Sequence, residues 1–142
     1  MKLQNNEKRM EIRIDSYEFP YDENSIYEDN NWLNVALEWE DEVVIENAIS
    51  PCLTCMELQE LCSGLSGALL GQPYISSFIE PDLTVRVKPH GERITVEITY
   101  AKPGHNRFAI QSDITKAQLD EMVSDVHEMC CRFPIRKKKL WN

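Results

Sequence analysis

The sequence predicts an α+β fold in which a mostly antiparallel sheet carries two amphipathic helices packed on one face. Three patterns lead to this class: short apolar–polar alternations, two helical runs that each follow a capping box, and turns too short for parallel crossovers. Grouped strands with segregated helices are typical of α+β proteins. The length of 142 residues, 42% of them hydrophobic, suits one globular domain.

The first half of the chain contains three strand patterns. Apolar and polar residues alternate over 10–15 and again over 33–40, and Val43, Ile45 and Ile49 mark a third strand. The acidic and aromatic segment 17–31 joins the first two strands, and loops of this length are often functional. Glu40-Asp41-Glu42 is the predicted hairpin tip, where the lack of Gly and Asn disfavours a type I′ turn.

A helix is predicted after these strands, and the second half of the chain repeats the order of strands followed by a helix. Thr54 and Glu57 form a capping box, and the helical apolar spacing that follows ends at Gly71. Strands are then expected over 74–80, 83–87, 94–100 and around 108–110. A second capped helix begins after Thr115 and ends before Pro134. The two helix starts lie 61 residues apart, which fits either a strands–helix duplication or the common pattern of capped amphipathic helices.

The expected domain organisation is simple. We expect a flexible N-terminus over residues 1–9, a single α+β domain over 10–135 and a basic C-terminal tail over 136–142. The polar start lacks the apolar region of a secretory signal, and no stretch approaches the roughly 18 apolar residues of a membrane span. Five irregularly spaced cysteines favour a reducing compartment, so a cytoplasmic location is expected.

Charge is distributed very unevenly along the chain. The net charge is −9, and no Lys or Arg occurs between Arg13 and Arg86, a stretch that holds 15 acidic residues. Such a region repels nucleic acid, because cations that neutralise phosphates supply most of the affinity for it. It attracts basic proteins or metal ions, or it is only the surface of an acidic soluble protein with no special partner.

Few residues are arranged for catalysis or metal binding. Cys52 and Cys55 precede a helix, where a redox pair or a zinc half-site could lie, but the only other paired cysteines, Cys130 and Cys131, are adjacent on a helix. Small buried thiols are the favoured interpretation. The sequence contains no glycine-rich phosphate loop, EF-hand spacing or evident catalytic triad. We therefore expect no enzyme, no metal and no cofactor.

Four motifs follow one another in the first 85 residues: Tyr17-Glu18-Phe19-Pro20, Asn31-Trp32-Leu33, Pro51-Cys52-Leu53-Thr54 with Glu57-Leu58, and Phe78-Ile79-Glu80-Pro81-Asp82-Leu83. In this order they resemble the WapI family of bacterial immunity proteins. The resemblance implies a protein that binds and blocks the C-terminal toxin domain of a WapA-like protein in the cytoplasm. Such toxins are typically nucleases, notably ones that act on tRNA. The resemblance implies neither a cofactor nor a catalytic residue.

The motif residues are expected to define the fold, and the partner is expected to bind acidic positions elsewhere. A nuclease that binds RNA presents cationic side chains. A dense patch of carboxylates can bind these side chains in place of the RNA phosphates. An alternative is an acidic binding module with another basic partner; a Cys-dependent redox protein is a third hypothesis. The expected partner-binding residues are Asp22, Glu23, Glu28, Asp29, Glu38, Glu40, Asp41 and Glu42.

Overall fold

The computed structural model describes residues 1–137, and these form two antiparallel four-stranded sheets and two helices. The first sheet has the order β1-β2-β3-β4, with β1 at Lys2–Gln4, β2 at Arg9–Tyr17, β3 at Trp32–Glu40 and β4 at Ile45–Thr54. Helix α1, Cys55–Leu69, follows directly, and a short 3-10 turn over Asp29–Asn31 precedes β3.

The second half has the same order of elements. Its sheet runs β5-β6-β7-β8, with β5 at Tyr74–Ile75, β6 at Leu83–His90, β7 at Arg93–Tyr100 and β8 at Phe108–Thr115. Helix α2 spans Lys116–Arg132. The predicted antiparallel α+β class is confirmed. The strands divide into two sheets, however, where the sequence suggested one, and common ancestry of the halves stays a prediction.

One hydrophobic core joins the two sheets and both helices. Trp39 of β3 packs against Tyr100 and Phe108 of the second sheet, with ring centroids 5.5 and 5.9 Å apart. The helices pack against each other. Both begin as predicted, because the side chains of Thr54 and Thr115 each accept a hydrogen bond from the third helical N–H.

Two predictions about strand extent are wrong. Residues 2–4 of the expected flexible N-terminus form strand β1, because Leu3 buries its side chain opposite Met10 of β2. The strand predicted over 74–80 is limited to Tyr74–Ile75, since Phe78 turns into the core. Of the predicted basic tail, Arg136 and Lys137 are described, whereas residues 138–142 lie outside the described part of the chain.

Strand β4 is irregular, and its irregularity reverses which side chains face the core. The β3–β4 register shifts between Leu33 and Val35, opposite Pro51, which has no N–H to lose from the ladder. After the shift, Cys52 and Leu53 are buried. Before it, the apolar residues that predicted this strand point to solvent. Its existence is confirmed, but its core contacts come from other residues.

Candidate functional site

The carboxylates at the end of β3 are partly neutralised within the sheet. Arg9 of β2 donates to Glu38 at 2.8 Å and lies 3.5 Å from Glu40. The hydrogen bond from Arg9 holds the pKa of the Glu38 carboxyl below its usual value and raises that of the guanidinium. Arg9 lies outside the base-free stretch of the sequence, and the antiparallel pairing of β2 with β3 places it beside these carboxylates. The carboxylates at this end of the sheet therefore share a cation that β2 supplies.

Asp41 shapes the hairpin tip. Its Oδ1 accepts hydrogen bonds from the N–H groups of Val43 and Val44, both at 2.8 Å. These bonds to the ionised form lower the pKa of Asp41. Only glycines have positive φ among the described residues, so the tip is not a type I′ turn, as the sequence predicted. Glu42 beside it is exposed and forms no ion pair within residues 1–137.

The acidic loop between β2 and β3 is well ordered by its own side chains. The carboxylate of Asp22 accepts from the Asn24 N–H at 2.9 Å and from the Ser25 hydroxyl at 3.2 Å. The buried amide of Asn30 pairs with both backbone groups of Asp22, at 2.8 Å each. Asp22 therefore shapes the loop, much as Asp41 shapes the hairpin.

Three further carboxylates of this loop project into solvent. Glu23, Glu28 and Asp29 are exposed and form no ion pair with any other described residue. Glu42 is in the same situation. These four predicted partner-binding residues are therefore the ones whose charge no cation within residues 1–137 neutralises.

The predicted site residues form two groups. One lies in the loop before β3 and the other around the hairpin tip after it. Strand β3 begins after the first group and spans about 26 Å to the hairpin tip, with Glu38 and Glu40 near its far end. The sequence suggested one acidic surface, but the length of β3 divides it into two.

The segment that follows α2 holds the loop before β3 in place through hydrogen bonds and a stacking contact. The buried amide of Asn31 donates to the Tyr27 and Arg136 carbonyls at 2.7 and 3.0 Å, and its oxygen accepts from the Arg136 N–H at 2.7 Å. Tyr17 donates to the Pro134 carbonyl at 2.6 Å, and the Arg136 guanidinium stacks 3.4 Å above the Tyr17 ring. Arg136, assigned to a basic tail from the sequence, is thus part of the fold.

Glu57 connects two of the sequence motifs. Its Oε1 accepts from the N–H and hydroxyl of Thr54 at 3.0 and 3.1 Å, and its Oε2 accepts from the Ile79 N–H at 2.6 Å. The side chain is buried, and these bonds satisfy both oxygens. The expectation that the motifs shape the fold agrees with these contacts.

The two cysteines at the junction of β4 and α1 are not arranged for redox chemistry. Cys52 and Cys55 are buried, and desolvation raises the pKa of their thiols to about 12 and about 11. A redox cysteine requires the reverse, an accessible thiol with a lowered pKa. Within residues 1–137, no three His, Cys, Asp or Glu side chains are grouped to hold a metal ion.

Thiol titration of the native protein should distinguish these cysteines from the exposed Cys131. At pH 8, Cys131 should react with a disulfide reagent within minutes. Cys52 and Cys55 should react only on unfolding, because burial shields both thiols from the reagent and disfavours the reactive thiolate form. A Cys131→Ser variant identifies the fast phase. Fast labelling of Cys52 in the native state would revive the redox hypothesis.

Comparison with known proteins decides the family. The model of the immunity protein WapI-like family matches residues 2–134. The chain belongs to the WapI-like family. The comparison with curated proteins gives no match. No helix of this WapI-like chain, as far as residue 137, combines the length and the apolar character needed to cross a bilayer.

Solved structures show a related architecture. A structure of the plant transcriptional regulator PBF-2 is similar to this WapI-like chain, with a TM-score of 0.53 and 13% identity. The similarity covers 94% of this chain and 80% of that one. At this identity the similarity concerns the fold alone.

Proposed function

We propose that this chain binds a cognate nuclease toxin domain of a WapA-like protein in the cytoplasm and neutralises it without catalysis. Membership of the immunity protein family over residues 2–134 carries the proposal. The acidic surfaces support the nuclease assignment, because a protein that binds RNA presents cationic side chains to which carboxylates can bind. A tRNA-cleaving toxin fits this chemistry.

The eight acidic positions contribute in different ways to the proposed interface. Glu23, Glu28, Asp29 and Glu42 meet the toxin directly, since they are exposed and form no ion pair with other described residues. Asp22 and Asp41 hold the loop and the hairpin tip in shape. Glu38 and Glu40 share Arg9 and contribute less net charge.

Co-expression with the neighbouring gene product tests the function. The C-terminal domain encoded immediately upstream should arrest growth alone, and this chain should restore growth and co-purify with the domain. Cleavage of tRNA in the arrested cells establishes the nuclease. If the chain gives no protection, the immunity proposal falls, and a different basic partner becomes the leading hypothesis.

Neutralising the loop carboxylates should slow association with the toxin domain. The triple variant Glu23→Gln, Glu28→Gln and Asp29→Asn should reduce the association rate constant about tenfold at low salt, because these charges steer a cationic partner. Stopped-flow fluorescence at two ionic strengths measures the rate, and the difference should shrink at higher salt.

A variant with the same change of net charge provides the control. Asp120→Asn, Glu121→Gln and Glu128→Gln remove three exposed carboxylates from α2. Equal rates for the two triple variants would mean that net charge alone steers binding and that the loop is not part of the interface.

A further inference from the structure

The edge strand β4 exposes apolar side chains on a surface that the acidic residues surround. Ile45 is 71% exposed and Ile49 62% exposed, and both lie on the outer face of the first sheet. Ile45 and Ile49 lie four positions apart on this face with the exposed Asn47 between them, so they present two separate apolar contacts along one strand. The central residues of protein interfaces are commonly apolar side chains within a polar rim.

The backbone of the same segment also has unpaired groups. The Asp41 N–H donates to the Val44 carbonyl at 3.0 Å, which makes these residues a hydrogen-bonded pair. Pair types alternate along an antiparallel ladder, so Ile45, Asn47 and Ile49 lie in non-hydrogen-bonded pairs with β3. Their N–H and C=O groups therefore point away from β3, towards the open edge of the sheet.

Residues 45–49 of this edge strand include no lysine, proline or bulge. Edge strands are commonly guarded by lysines, prolines, bulges or a covering element. The proline and the register shift of β4 lie beyond Ile49, and no lysine occurs in the strand. The segment 45–49 is therefore geometrically able to accept another strand.

The charge around the edge selects what can pair with it. Glu42 and Glu46 flank Ile45 along the chain, and Glu40 lies opposite Ile45 on β3. A second copy of this chain, paired edge to edge, would add a second set of these three carboxylates to the same surface of a protein with a net charge of −9, and this repulsion disfavours the pair. A cationic partner gains chiefly from Glu42, because Glu40 already lies 3.5 Å from Arg9 and Glu46 accepts a hydrogen bond from Asn106 at 2.8 Å.

We propose that an extended segment of the basic toxin domain adds to β4 as a further strand of the first sheet. Backbone hydrogen bonds form at Ile45, Asn47 and Ile49, the two isoleucines anchor the apolar contact, and Glu42 meets a cation of the partner. This inference rests on the proposed function and specifies where the toxin is held. The loop carboxylates then accelerate the encounter, whereas the edge determines how long the complex lasts.

The decisive variant places charge at the two exposed isoleucines of β4. Ile45→Lys with Ile49→Lys should weaken binding of the upstream-encoded domain at least about 100-fold, mainly through faster dissociation. The matched control is Ile75→Lys with Ile79→Lys, which changes isoleucines that are 60% and 64% exposed outside β4. Surface plasmon resonance compares both with the wild type, and thermal melts establish that each variant is folded.

Amide hydrogen exchange tests strand addition directly. In the complex, exchange at Ile45, Asn47 and Ile49 should slow by at least about tenfold, because their N–H groups gain partners. Glu46 and Ala48 already pair with β3 and should change less. The complementary measurement is the mass of the free protein by analytical ultracentrifugation, which should be that of a monomer.

Each outcome bears on a different part of the proposal. If the wild type does not bind the domain, the proposed function fails and the toxin strand fails with it. If the wild type binds and the β4 variant binds equally well, or if exchange at the three edge amides is unchanged, only the edge inference is overturned. A dimer of the free protein that the β4 lysines dissociate would assign the edge to a second copy instead.

Discussion

Replacing Glu57 with alanine should lower the free energy of unfolding by about 3 kcal/mol, since the change removes one half of a capping box and leaves buried donors unpaired. The carboxylate is only 5% exposed and accepts from Thr54 and from the Ile79 N–H. Its loss leaves the Thr54 N–H at the start of α1 without its acceptor and detaches the segment before β6. Urea unfolding followed by circular dichroism measures the change.

The second capping box provides a control for this prediction. Gln118 bonds the Thr115 N–H with the same local geometry at 2.9 Å, but it is exposed and has no distant partner. Gln118→Ala should cost only about 0.5–1 kcal/mol. Equal losses for the two variants would mean that the contact with Ile79 adds nothing. Glu57→Gln, which keeps one acceptor oxygen, should lie between the wild type and Glu57→Ala.

Local sequence signals predicted the helices well. The capping boxes at Thr54 and Thr115 and the helix stops near Gly71 and Pro134 depend on residues within one or two turns, and they are found where the pattern places them. Strand order, sheet number and pairing depend on distant residues. The division into two sheets is a property of the folded chain that periodicity alone does not reveal.

The candidate site was predictable in composition but not in arrangement. The base-free stretch identified the acids, yet the pairing of β2 with β3 brings Arg9 to Glu38, and β3 holds the two acidic groups apart. The solvent exposure of the β4 isoleucines was equally unpredictable. In sequence they mark a strand, and only the register shift opposite Pro51 explains why they face solvent.

Asn31→Ala should destabilise the fold by about 2–3 kcal/mol and loosen the segment after α2, because three hydrogen bonds of a buried amide are lost. Arg136 would then be held only by its own side-chain contacts with Tyr17 and Phe19. Limited trypsin digestion should cleave after Arg136 faster than in the wild type, while urea unfolding gives the global cost.

The exposed Asn47 provides the matched control, since its side chain forms no hydrogen bond with the rest of residues 1–137. Asn47→Ala should leave both stability and cleavage unchanged. If Asn31→Ala accelerates cleavage after Arg136 and also slows toxin association, the anchored segment orders the acidic loop for binding. If cleavage accelerates while association keeps its wild-type rate, Asn30 and Asp22 alone hold the loop carboxylates in place. If neither cleavage nor stability changes, the Asn31 amide does not secure this segment.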